Sequence, residues 1–254
     1  MVTNSMNVIM LVIILVLIAL VYNNNIANEV NPIIIDNYSQ NEDIIIDNLN
    51  VLKPVIVDNF SQSEDLSIDD LIKMNDGNLR INYHPDTNIP RHIWGQFSTR
   101  IINTPEDAVK SLSSVRTILG IDQLLFACTE EEKRDNIQVF YLQQLYEGIM
   151  VTGGYFRVYA KNTGVPDSIS GVYISGIELD TTPILSYKEA MKIISLEDCR
   201  EVSETLLVVY TNPEEDCRLC WRFTVAANDV SRKKHIFIDA NTGEIIISAP
   251  LIRF

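Results

Sequence analysis

The sequence predicts an α+β fold of two small units, each a capped helix followed by an antiparallel meander. Three observations carry this. Two helix starts share cap chemistry, Thr104-Pro105-Glu106-Asp107 and Ser186-Tyr187-Lys188-Glu189. Phe140–Tyr159, FYLQQLYEGIMVTGGYFRVY, reads as two alternating strands joined at Glu147-Gly148, with a flexible or bulged point at Gly153-Gly154. Phe237–Ser248, FIDANTGEIIIS, reads as a strand, an Asn241-Thr242-Gly243 turn and a return strand.

In chain order, the folded body is expected to begin near Ile89-Pro90. A helix follows, with Thr104 as N-cap, Pro105 at its first position and Asp107 three residues past the cap. Ala108, Leu112, Val115 and Leu119 keep one apolar face, and Gly120 ends it. Strands are expected at Ile137–Tyr146, Ile149–Ala160 and Val165–Ile174, the last two joined by Lys161-Asn162-Thr163-Gly164. After a break near Asp180–Pro183, the second helix runs through Ala190, Ile193 and Ile194. Strands at Thr205–Thr211, Leu219–Ala227, Lys234–Ala240 and Glu244–Ser248 complete the second unit. The sheets are expected to curl around their own helices. The implied organisation is a signal segment over 1–22, an acidic linker over 23–88, and domains over 89–180 and 181–254.

Val8–Tyr22 is a fifteen-residue run without charge. It is shorter than a typical membrane-spanning helix, and no Lys or Arg precedes it. An uncleaved signal anchor and a cleaved signal peptide both fit, the anchor better because no small-x-small site follows cleanly. The body would then face outward from a single-pass anchor, or be secreted. Between Asn23 and Leu79 stand 11 acidic and 2 basic residues, 9 of the 14 net negative charges of the 254-residue chain. The formal charge of -14 argues against a nucleic-acid partner, which needs clustered Lys and Arg, and the acidity of this stretch marks a solvated stalk. The stalk contains a repeat: PIIIDNYSQNED at Pro32–Asp43 returns as PVIVDNFSQSED at Pro54–Asp65. Two copies are too few for a solenoid. Their aliphatic triplets suit either a disordered spacer or a peptide that docks by strand addition.

Chemistry-bearing residues are sparse. Cys217 and Cys220 form one C-x-x-C without the second pair a zinc ribbon needs, and Cys220 lies within a strand pattern rather than at a helix start. A disulfide between Cys199 and Cys217 is compatible with export; plain buried thiols, Cys128 included, are equally so. His84 and His92 are expected in surface loops. His235 is expected to open a strand after the basic trio Arg232-Lys233-Lys234, read as a solvated loop. Glu130-Glu131-Glu132 is expected to be an exposed loop. Tyr141, Tyr146, Tyr155, Phe156 and Tyr159 form an aromatic strand set, for sheet packing or a partner-facing surface. Asp180 and Asp239 stand alone, so no acid/base pair is formed. Gly148, Gly153 and Gly243 read as backbone requirements.

The motif order resembles the propeptide region of thermolysin-like and fungalysin-like secreted metalloproteases, an FTP domain followed by a PepSY domain. The FTP resemblance runs from Ile93–Phe97 (IWGQF) through the Thr104 helix to Leu142–Gly154. There Gln144, Gly148, Val151, Gly153 and Gly154 fall on the family pattern, while Met150 stands where Pro is usual. The PepSY resemblance covers Pro183–Ile194, Arg218–Val225 and Ile238–Ile246, with Asp239-Ala240 and Thr242-Gly243 at the terminal turn. The resemblance implies a module that assists folding of a protease domain and inhibits it until cleavage. In the family a catalytic domain with H-E-x-x-H follows. The histidines here are His84, His92 and His235, none in an i, i+4 pair, so composition excludes a zinc protease site.

No catalytic residue, cofactor ligand or metal ligand is therefore assigned, and the binding residues stay unknown. The expected function is a non-catalytic, membrane-anchored module that binds and inhibits or chaperones a thermolysin-like metalloprotease in trans. The alternative is a cell-envelope structural or interaction protein that uses the same module without a protease.

Overall fold

A computed structural model describes residues 54–55, 65–194, 201–212, 215–226 and 233–250. The apolar run Val8–Tyr22, the first repeat, Cys199 and Arg232 lie outside these residues. Among the described residues, no helix is long and apolar enough to cross a membrane. The architecture is mixed α+β, with few short helices against one large sheet.

The strands are β1 (Pro54–Val55), β2 (Arg80–Tyr83), β3 (Pro90–Trp94), β4 (Phe126–Arg134), β5 (Ile137–Tyr146), β6 (Ile149–Lys161), β7 (Pro166–Val172), β8 (Glu201–Asn212), β9 (Glu215–Ala226), β10 (Lys233–Asp239) and β11 (Ile245–Pro250). Their order is β1-β4-β5-β6-β8-β9-β10-β11, and a branch β2-β3-β7 joins at β6. Every pairing is antiparallel except β6 with β8, which is parallel over Met150–Val208 and Val151–Val209. β6 thus serves two neighbours along one edge: β8 near its start, and β7 from Tyr155 onward.

Helices α1 (Ile68–Met74), α2 (Pro105–Ser111) and α3 (Tyr187–Ile194) pack against the sheet. The Thr104 capping box forms as the sequence indicates: the Thr104 hydroxyl accepts from the Asp107 amide, and the Asp107 carboxylate accepts from the Thr104 amide. Ser186 and Glu189 do the same for α3. The α-helical part of α2 is shorter than its apolar periodicity suggests. It tightens to a 3₁₀ turn at Leu112–Val115, and Gly120, at φ +67°, closes the following turns. The Ser111 and Ser113 hydroxyls donate to the Ala108 and Lys110 carbonyls, competing with the helix's own hydrogen bonds.

Two groups of buried side chains sit under the helices. Ala108, Val109, Leu112 and Val115 meet Phe126, Phe140, Leu142, Phe156 and Val158. Ala190 and Ile194 meet Phe223, Val225, Ile236 and Ile238. A third group, Ile149, Val151, Val209, Leu219 and Ala240, packs across the β6–β8 join.

Several local expectations need correction. Folded structure begins before Ile89. Ser67 caps α1 with a capping box to Asp70, and Leu71 is fully buried in the first core. The stretch around His84 and His92 is a β2–β3 hairpin, which puts His92 in a strand stacked on Trp94 rather than in a loop. Glu130, Glu131 and Glu132 lie in β4 opposite Tyr141, Phe140 and Val139. The β-forming partner strand draws them in, and a mostly open edge tolerates their charge. Lys233 and Lys234 likewise belong to β10, paired with Ala226 and Val225.

Candidate functional site

Gln144, Gly148, Val151, Gly153 and Gly154, part of the set that carries the sequence resemblance, come together where β6 passes from one neighbour to the other. Glu147 (φ +48°) and Gly148 (φ +82°) both take the left-handed conformation that a two-residue hairpin requires. Beyond it the β5–β6 register breaks: Leu145 faces Met150, but Gln143 faces Tyr155. Residues 151–154 therefore bulge opposite Gln144, with Gly153 at φ +79°.

Two glutamines fill the opening. The Gln143 amide donates to the Val151 and Gly154 carbonyls at 2.6 and 2.8 Å. Gln144, almost fully buried, donates to the Ile174 carbonyl at 2.7 Å and accepts from the Ile174 amide at 2.9 Å. On the far side, the Thr152 hydroxyl accepts from the Thr211 amide and the Thr152 carbonyl accepts from the Thr211 hydroxyl, tying the bulge to β8. Polar groups so placed are satisfied internally and fix the bulge in one form. These motif residues are structural.

Beside the bulge, the outward face of β4–β6 carries a shallow groove of about 220 Å³, lined by Thr129, Tyr141, Gln143, Tyr155 and Arg157, with Leu142 and Phe156 at its base. The Arg157 guanidinium lies over both tyrosine rings, 5.5 Å from Tyr141 and 5.7 Å from Tyr155. The Tyr141 hydroxyl donates to Glu132 at 3.1 Å. Burial, followed by that hydrogen bond, raises its pKa above the ordinary phenol value. Arg134 pairs with Glu132 at 2.5 Å and, through that hydrogen bond, holds the carboxyl below the usual range. The aromatic set thus divides. Tyr141 and Tyr155 face the groove, Phe156 is core, and Tyr146 turns toward the Leu179 backbone.

The remaining candidates are dispersed. Cys217 and Cys220 stand three apart on β9, so their side chains enter different packing groups on opposite faces. Both carry free thiols, as does Cys128. Burial pushes the Cys220 thiol up to about 12. Asp239, nearly buried, accepts from the Asn241 and Thr242 amides at 2.8 and 2.9 Å, and so shapes the terminal turn. His235 shares a hydrogen bond with Thr224, whose hydroxyl donates to Glu204; Arg222 pairs with the same carboxylate at 3.2 Å. Among the described residues, no three His, Cys, Asp or Glu side chains cluster as metal ligands. The groove offers ring faces, a guanidinium and hydrogen-bonding groups, with no nucleophile set beside a base. Groups of this kind can hold a ligand by stacking and hydrogen bonding. Sequence reasoning missed Arg157 and Thr129; the alternation Tyr155-Phe156-Arg157 in a strand already places Arg157 on the same face as Tyr155.

No family model matches the chain, and no curated protein matches it. Among solved structures, it is similar to the Bacillus megaterium YpeB C-terminal domain, with 17% identity over 75% of this chain and 100% of that one, at a TM-score of 0.39.

Proposed function

We propose that this chain is a non-catalytic, propeptide-like module, FTP-like then PepSY-like, that binds an extracytoplasmic metalloprotease in trans and inhibits it or assists its folding. Its N-terminal apolar segment anchors it to the membrane. One observation carries the reading: Gln144, Val151, Gly153 and Gly154 are all used to brace the β6 bulge, and the face beside them presents Tyr141, Tyr155 and Arg157 without a reactive group. A module that covers a cleft needs a rigid frame and an adhesive face, and aromatic residues with arginine are the side chains that most often anchor such contacts. The acidic composition, which disfavours nucleic acid, is compatible with this.

The test mixes the chain at micromolar concentration with a thermolysin-like metalloprotease. Cleavage of a small peptide should slow, or the refolding yield of the denatured protease should rise. Tyr155→Ala with Arg157→Ala should weaken the effect about tenfold or more. Proteolysis and refolding both unchanged would discard the protease reading in favour of an envelope interaction protein.

A further inference from the structure

The chain carries two copies of one peptide, and one of them supplies a strand to the sheet. Pro54 and Val55, which open the second repeat, form β1 on the outer edge of β4, opposite Ala127 and Phe126. Val55 packs against the first core. Pro lacks an amide hydrogen and is tolerated in such an edge strand. The far end of the repeat is held as well. Asp65 accepts from the Thr117 hydroxyl and, at 3.3 Å, from the Thr117 amide, while the Leu66 amide donates to the Ser114 carbonyl at 2.8 Å. Leu66 also packs on the first core.

The first repeat matches at each of these points. At the 22-residue offset, Pro32 and Ile33 stand for Pro54 and Val55, and Asp43 and Ile44 stand for Asp65 and Leu66. Eight of the twelve repeat positions are identical, and three of the other four exchange Ile for Val or Tyr for Phe. The four positions seen in contact are thus an identical Pro, an identical Asp and two aliphatic residues. Backbone pairing is indifferent to sequence, and a half-buried aliphatic site accepts Ile in place of Val or Leu.

We infer that the β4 edge, with Ser114 and Thr117, is a strand-addition site with two interchangeable ligands in this chain: the second repeat, whose Pro54-Val55 and Asp65-Leu66 are seated there, and Pro32–Ile44. Nothing in this depends on a protease partner. When the first repeat takes the edge, Pro54-Val55 and Asp65-Leu66 are released, so the site can act as a switch between two tethered peptides. The nearer copy is favoured by its shorter tether, because effective concentration falls with tether length.

The test uses the full chain in detergent, with Val55→Asp, Ile33→Asp and both together, and reads hydrogen exchange at Phe126–Cys128. Each single variant should stay within a few-fold of the parent. The double variant should exchange about tenfold faster or more, as expected for a newly uncovered edge. A synthetic peptide of residues 32–44 should restore its protection, whereas a scrambled peptide should not. Loss of protection or of folding in Val55→Asp alone overturns the inference, since the first repeat then does not substitute. Retained protection in the double variant overturns it too, and so does failure of the 32–44 peptide on a folded double variant. A double variant that unfolds while both singles fold supports it, because only shared occupancy makes the two changes non-additive.

Discussion

A methyl group added to Gly154 would stand 2.2 Å from Gln144 Oε1 and 3.0 Å from its Cβ. Gln144 cannot swing aside without breaking both hydrogen bonds to Ile174 in a buried setting. Gly154→Ala should therefore cost roughly 1–3 kcal/mol, the range for stranding a buried polar group, read as a lower urea midpoint with unchanged slope. Cys220 gives a second expectation at this scale. Its thiol is buried and its pKa is pushed up to about 12 by desolvation first and Asp239 second, so almost no thiolate exists at neutral pH. A thiol reagent at pH 8 should modify Cys220 only as fast as the protein unfolds, and rapid labelling of the native chain would contradict its placement.

At the scale of elements, α3 is eight residues long and depends on its cap. The Ser186 hydroxyl donates to the Glu189 carboxylate and accepts from the Glu189 amide, while the Ser186 amide donates to the same carboxylate. The side-chain bond first, and the backbone bond second, hold Glu189 below its ordinary value of 4.5. The unfolded chain thus takes up this proton before the folded one does. The cap's contribution is fully present above the ordinary glutamate value and is lost as pH falls through the lower folded value. Ser186→Ala should lower the thermal midpoint at pH 7 and flatten its decline as pH falls below the ordinary glutamate value. An unchanged acid limb would mean that the cap does not titrate with folding. Both helix caps were legible in the sequence because capping is local: Thr104-x-x-Asp107 and Ser186-x-x-Glu189 each complete their own hydrogen bonds within four residues. Ser67-x-x-Asp70 carries the same signal, masked by an acidic surround that reads as linker. β4 was not legible, because Glu130–Lys133 becomes a strand only when β5 lies beside it.

For the molecule as a whole, cohesion rests on a narrow join. β6 and β8 pair through two residue pairs, supported by Thr152–Thr211 and by the Ile149, Val151, Val209, Leu219 and Ala240 cluster. Thr211→Val removes one hydroxyl bond and should cost about 1 kcal/mol. Thr152→Val also leaves the Thr211 amide without its acceptor and should cost roughly 1–3 kcal/mol. Trp94 reports one side of this join and Trp221 the other. In single-tryptophan chains their denaturation curves should coincide, and Thr152→Val should separate them. Coincident curves in that variant would show that the apolar cluster alone couples the two sides.

The sequence by itself determined the α+β class, the two capped helix starts, the hairpin at Glu147-Gly148 and the Asn241-Thr242-Gly243 turn. Each follows from alternation, capping or turn chemistry within a dozen residues. Only the tertiary structure decided that Gln143 and Gln144 fill a bulge, that Arg157 lies across two tyrosines, that Pro54-Val55 joins β4, and that β6 meets β8 in parallel. Apart from Arg157 and its strand neighbour Tyr155, those outcomes bring together residues 8 to 73 positions apart, and the free energy that selects among such partners comes from burial and closure of the whole sheet, which no local window contains.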